Sequence, residues 1–130
     1  MTKALVDSSA WLDFFRGMAE AVRRLDPLLD EGRAVVTGPI SAEVLSGARS
    51  NAEYGLLRRL LVGLPSAAEP PELWSRVGEH RYALARRGFQ AGLIDLTIAL
   101  TAFECGLRLL TRDRDFERIR TVVPIELDLF

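Results

Sequence analysis

Short, unbroken apolar runs alternate with stretches whose apolar residues recur at helical spacing, and no other property of this chain limits its fold so tightly. Ala4-Leu5-Val6, Ala34-Val35-Val36-Thr37 and Arg108-Leu109-Leu110-Thr111 are runs of the kind buried on both faces of a parallel sheet. Thr121-Val122-Val123-Pro124-Ile125 reads as a last strand, and Leu64–Glu69 as a connector or a brief edge strand. Between them the spacing predicts helices. One carries Trp11, Leu12, Phe14 and Phe15 and ends at Gly17; a second covers about Ala19–Glu31, with Pro27 placed to kink or split it. A third is opened by Gly38-Pro39 and runs to about Ala48, followed by Asn51–Val62. A long helix follows Pro70-Pro71 to about Arg87, and the nearly all-apolar Leu93–Cys105 is expected to be buried, with Cys105 as core packing. Asp113–Ile119 is a short helical segment. Strands alternating with helices argue for α/β architecture: three layers, with a mostly parallel central sheet flanked by helices.

The length of 130 residues suits one domain, 1–130, with no internal repeat or linker. No stretch reaches the roughly 18–20 apolar residues of a membrane span, and no signal segment precedes the first strand, so the expected location is the cytoplasm. A single cysteine excludes an internal disulfide and multi-cysteine metal sites, and a single histidine, His80, excludes the usual three-ligand zinc hydrolase. The net charge of −1 conceals clustered arginines, notably Arg112, Arg114, Arg118 and Arg120.

Acidic residues stand at the ends of the predicted elements. Asp7 follows the first strand, Glu43 lies in the first turns of the helix opened by Pro39, Asp95 heads the buried helix, and Asp113 follows the strand ending at Thr111. In open α/β sheets, ligands sit beyond the carboxyl ends of the strands. A helix running antiparallel to its strand returns its N-terminus to that same edge, which brings Asp7, Asp95 and Asp113 together; Glu43 joins them only if its helix lies across the edge. Two like charges about 4 Å apart repel by roughly 4 kcal/mol at an effective dielectric near 20. A cluster of this kind takes up protons or binds a divalent cation. Oxygen-only ligands suit Mg2+ or Mn2+, which orient and acidify a water and neutralise charge on a phosphate.

Singly, each acid has a plainer reading: Asp7 as a helix cap, Glu43 as a surface glutamate, Asp95 as a charge on a helix dipole, Asp113 and Asp115 as a salt-bridged turn. Their joint order carries a resemblance. The segments Ala4–Ser9, Ile40–Ala48, Gly92–Ala99 and Leu109–Phe116 resemble the PIN-domain ribonucleases, most of all the VapC toxins of toxin–antitoxin pairs. By that resemblance Asp7, Glu43, Asp95 and Asp113 correspond to the catalytic, metal-binding acids, and Asp115 to a further metal-binding acid of many members. Ser9 and Thr111 match supporting polar residues, and Arg112 and Arg114 stand where RNA would be positioned. The resemblance implies an Mg2+- or Mn2+-dependent endoribonuclease acting on structured RNA such as tRNA or rRNA. It also implies a cognate VapB-type antitoxin and a homodimer.

Other readings fit less well. A phospho-accepting receiver domain would need a lysine near the last strand, and the only lysine is Lys3. A haloacid-dehalogenase phosphatase would show an aspartate where Ser9 stands. A non-toxin PIN nuclease of RNA processing and a binding module without catalysis remain as alternatives. Trp11 and Trp74 fall on helical stripes and read as core or dimer contacts. The leucine-rich helices at 19–31 and 51–62 carry more apolar surface than one small sheet needs, which suits an antitoxin groove or a dimer contact.

Overall fold

The computed structural model describes residues 2–130 and forms an α/β unit in which one sheet is flanked by helices. The strands are β1 (Ala4–Val6), β2 (Ala34–Val35), β3 (Arg108–Thr111) and β4 (Leu127–Leu129). They lie in the order β2-β1-β3-β4, and every pairing is parallel, so the expected mostly parallel sheet is wholly so. Ala4, Leu5 and Val6 are fully buried, as an apolar run in the middle of a parallel sheet must be.

The helices are α1 (Ser8–Phe15), α2 (Ala19–Asp30), α3 (Gly38–Ser46), α4 (Asn51–Val62), α5 (Leu73–Arg86), α6 (Leu93–Glu104) and α7 (Asp115–Ile119). Local chemistry sets their ends. Thr37 accepts the Ile40 N–H as the N-cap of α3, with Pro39 in the first turn, and Ser50 accepts the Glu53 N–H at the start of α4. Pro27 falls on the exposed side of α2 near its C-terminus, and the helix runs past it unbroken to Asp30. In α6 every residue from Leu96 to Ala102 is buried, as its all-apolar sequence requires.

Two expectations are corrected. The last strand is Leu127–Leu129, not Thr121–Ile125. The Val122 and Val123 N–H groups both bond back to the Ile119 carbonyl, Ile125 turns tightly onto Val123, and Pro124 has no N–H to offer a ladder. Val123 and Ile125 are buried as loop residues, so their β-branched side chains fill the core without forming a strand. Cys105 is exposed at the C-cap of α6 and does not pack in the core. Trp11 is fully buried, whereas Trp74 is exposed. Leu64–Glu69 contributes only an isolated bridge, Val36 to Ser66.

Strand order positions the site. From β1 the chain moves to β2 on one side, then returns across β1 to reach β3 on the other. The crevice at this reversal opens at the carboxyl ends of β1 and β3, where Asp7 and the turn Arg112–Arg114 emerge.

Candidate metal centre

The β1–β3 register pairs Val6 with Leu110, and the Asp7 N–H reaches the Leu110 carbonyl at 2.9 Å. The next residues along, Asp7 and Thr111, therefore lie side by side. Both are buried: Thr111 is inaccessible and Asp7 is 4% exposed. A carboxylate so enclosed needs donors, and two hydroxyls supply them. Thr111 Oγ1 donates to Asp7 Oδ2 at 2.8 Å, and Ser9 Oγ donates to the same oxygen at 3.3 Å. Each hydroxyl also accepts a backbone N–H from the turn after β3: Asp113 N–H to Thr111 at 3.0 Å, and Arg112 N–H to Ser9 at 3.1 Å. Ser9 and Thr111 thus relay between Asp7 and the segment that carries the next acids. Burial pushes the Asp7 carboxyl up, the bonds from Thr111, Ser8 N–H and Ser9 hold it down, and the Asp113 charge raises it further; the net shift is upward.

Asp95 is the third residue of α6 and faces the same crevice. Its N-cap, Gly92, lies so close that a Cβ there would meet Asp95 Oδ2 at 3.3 Å. Burial, followed by the charges of Asp113, Asp7, Glu43 and Asp115, pushes the Asp95 carboxyl up to about 7. Four acids from three other segments thus act on this one carboxyl. Oxygens of Asp95, Asp113 and Asp115 lie within 4.8 Å of one another. The Asp115 N–H bonds Asp113 Oδ1 at 2.9 Å, which folds the turn so that both acids face α6.

Glu43 reaches the edge from α3, and Ser8 Oγ donates to its Oε1 at 3.2 Å. Although Glu43 is exposed overall, its carboxyl end is partly removed from water. Burial, partly offset by the Ser8 bond and reinforced by the charges of Asp7 and Asp113, pushes its pKa up. The structure therefore brings all five acids to one crevice. Asp95, Asp113 and Asp115 form the tightest group, while Asp7 is tied down behind it.

The arginines behave differently. Arg112 makes an ion pair with Asp13 of α1, and its guanidinium lies over the Phe130 ring, 5.8 Å from the centroid. Arg114 projects into solvent, 80% exposed, with only a 3.5 Å contact to Glu117. Sequence reading missed Ser8, whose bond to Glu43 spans 35 positions, and Asp13, which meets Arg112 across 99. Neither carries a local signal.

Among the described residues, none of the five acids takes part in an ion pair, whereas arginines pair with acids at several places elsewhere on the surface. The donor set fits a hard divalent cation. Every ligand atom is a carboxylate oxygen, and the spacing is on the scale of the roughly 4.2 Å between opposite oxygens of octahedral Mg2+.

A parallel sheet with a carboxylate cluster at its strand reversal is common to several classes of metal-site protein; this chain belongs to the PIN domain family, whose profile matches residues 4–122. Ribonuclease VapC11 of Mycobacterium tuberculosis is 35% identical over 133 residues, covering 97% of this chain and 98% of its own. Ribonuclease VapC21 of the same organism is 34% identical, covering 96% of this chain and 93% of its own. Among solved structures, DNA-bound VapBC from Salmonella typhimurium superposes with a TM-score of 0.77 at 25% identity, covering 98% of both chains. VapBC2 from Rickettsia felis shares the fold at a TM-score of 0.77 and 17% identity, again over 98% of both chains.

Proposed function

We propose that this chain, acting as one PIN unit over residues 1–130, is the endoribonuclease toxin of a toxin–antitoxin pair. It would cleave structured RNA such as tRNA or rRNA with the help of Mg2+ or Mn2+. The observation that carries the reading is the convergence of five carboxylates without a cationic side chain among them. Relatives named as VapC ribonucleases, matched over nearly the whole chain, support the choice of RNA. The VapBC complexes among the similar structures support a VapB-type antitoxin as partner.

Asp95, Asp113 and Asp115 would hold the cation, with Asp7 completing the anionic wall under the control of Ser9 and Thr111. When bound, that cation would supply an acidified water and neutralise charge on the scissile phosphate. Glu43, held by Ser8, orients the attacking water and takes its proton, a task its raised pKa suits. Attack in line with the departing 3′ oxygen leaves a 5′-phosphate and a 3′-hydroxyl. Arg112 and Arg114 border the crevice and position the RNA. The protein would work in the cytoplasm, where such RNA is found. No helix among the described residues is long and apolar enough to cross a membrane. Exposed Leu56 and Val62 on α4 offer apolar surface to an antitoxin or a second copy.

The test is cleavage of RNA by the purified chain. EDTA abolishes it and added Mg2+ or Mn2+ restores it, and Asp7→Asn abolishes it without lowering the melting temperature. Undiminished cleavage in EDTA, or by the Asp7→Asn protein, overturns the reading.

A further inference from the structure

Beside the acidic crevice lies a second, open groove of about 360 Å³, lined by Ser9, Leu12, Asp13, Arg16 and Arg112. Its chemistry is opposite to that of its neighbour. Two guanidinium groups face one carboxylate, so the groove carries a net positive charge. Ser9 is the shared wall: its hydroxyl donates to Asp7 on one side and accepts the Arg112 N–H on the other.

The two arginines are held in different ways. Arg112 is fixed from two directions, by the ion pair to Asp13 and by the Phe130 ring, yet its side chain remains 48% exposed. A guanidinium has five N–H donors in a planar fork, and one of its nitrogens, Nη1, serves Asp13. The remaining donors are available to a ligand. Arg16, the C-cap of α1, is exposed and has no acidic partner among the described residues. A fixed guanidinium and a free one, set side by side, suit a phosphate oxygen pair better than a carboxylate already present.

We propose that this groove is a phosphate subsite: Arg16 and Arg112 bind an RNA backbone phosphate adjacent to the one held at the carboxylates, with Arg16 as the principal free cation. The proposal rests on the ribonuclease reading and adds to it a direction for the strand, which leaves the crevice along the α1 side past Ser9. It also answers an electrostatic difficulty. Five carboxylates repel a polyanion, and the compensating charge must lie close by without entering the metal ligands. Arg16 meets both conditions.

The experiment uses a fluorescein-labelled RNA hairpin with a single-stranded loop. Binding is followed by anisotropy on the Asp95→Asn protein in Mg2+, and cleavage on the otherwise unaltered chain. Arg16→Gln raises Kd about fivefold at 0.1 M salt and lowers the slope of log affinity against log salt by about 0.7, the share of one phosphate contact to a single strand. In cleavage it raises KM and leaves kcat unchanged. Arg16→Lys, which keeps the charge, restores most of both. A methylphosphonate placed at the phosphate that Arg16 contacts removes the difference between Arg16 and its Gln variant. Arg16→Gln with unchanged affinity and unchanged salt slope overturns the subsite, including the case where the groove takes an acidic segment of a protein partner. A chain that binds RNA with this Arg16 dependence but cleaves none keeps the subsite and loses the nuclease. Cleavage indifferent to Arg16→Gln does the reverse.

Discussion

Thr111 sets the distance between two acids that belong to different parts of the chain. Its hydroxyl donates to Asp7 at 2.8 Å and accepts the Asp113 N–H at 3.0 Å, so one buried oxygen joins the end of β1 to the turn after β3. Without it, Asp7 would lose the shorter of its two side-chain donors and the turn would lose its tether.

Thr111→Val keeps the shape and removes both bonds. Asp7 Oδ2 then keeps only the longer Ser9 bond and the Asp113 N–H loses its acceptor, a loss of about 1–3 kcal/mol. Urea unfolding should show the midpoint falling with an unchanged slope, and RNA cleavage should fall with it because Asp113 is no longer fixed. An unchanged midpoint would mean that the relay is not structural.

The raised pKa of Asp95 gives a pH signature to the metal-free protein. The folded carboxyl holds its proton up to about 7, while the unfolded one releases it near 3.8. The folded state therefore binds more protons between those values, and stability falls as pH rises from about 4 to about 7, levelling above. Asp95→Asn should raise the melting temperature in EDTA by about 3 °C or more at pH 8, and change it little at pH 4. A gain confined to low pH would contradict the assigned cause.

Divalent cations should reverse that penalty. Protons and metal compete for the same carboxylates, so Mg2+ or Mn2+ should raise the melting temperature more at pH 8 than at pH 5.5. Asp113→Asn should abolish most of the effect. Equal thermal shifts in the two proteins would place the ion elsewhere.

Gly92 leaves the space into which the Asp95 carboxylate fits. A methyl group there, 3.3 Å from Oδ2, forces the carboxylate to move by a few tenths of an ångström. The backbone at Gly92 has φ −68°, which alanine accepts, and exchanging these residues at an N-cap costs about 1 kcal/mol or less. Gly92→Ala should therefore weaken Mg2+ or Mn2+ binding severalfold by calorimetry while the metal-free melting temperature drops by only a few degrees. Wild-type metal affinity would show that Asp95 has room to spare.

The elements that sequence reading placed well are those with strong local chemistry. The apolar runs of β1 and β3 suit strands buried on both faces, and Thr37 with Pro39 and Ser50 mark where α3 and α4 begin. It misplaced the last strand because Thr121–Ile125 has the stronger β-branched signal, yet Leu127–Leu129 is the segment that reaches β3. Asp128 there is held by Arg24 and Arg108, partners more distant along the chain than any local pattern reports. Cys105 was misjudged because the apolar composition of α6 continues to its last turn, where the helix has already emerged from the core.

The order of acids along the chain, with the elements that carry them, was enough to announce an anionic site at one sheet edge. Hydrophobic period and turn chemistry are local and survive in a string of letters. Which acid is buried, which hydroxyls hold it and which arginine stays unpaired depend on the strand order that lays β1 beside β3. Asp13 and Arg112, 99 positions apart, meet only because of it. A pairing over that distance follows from the folded backbone, since no short-range preference of either residue specifies it.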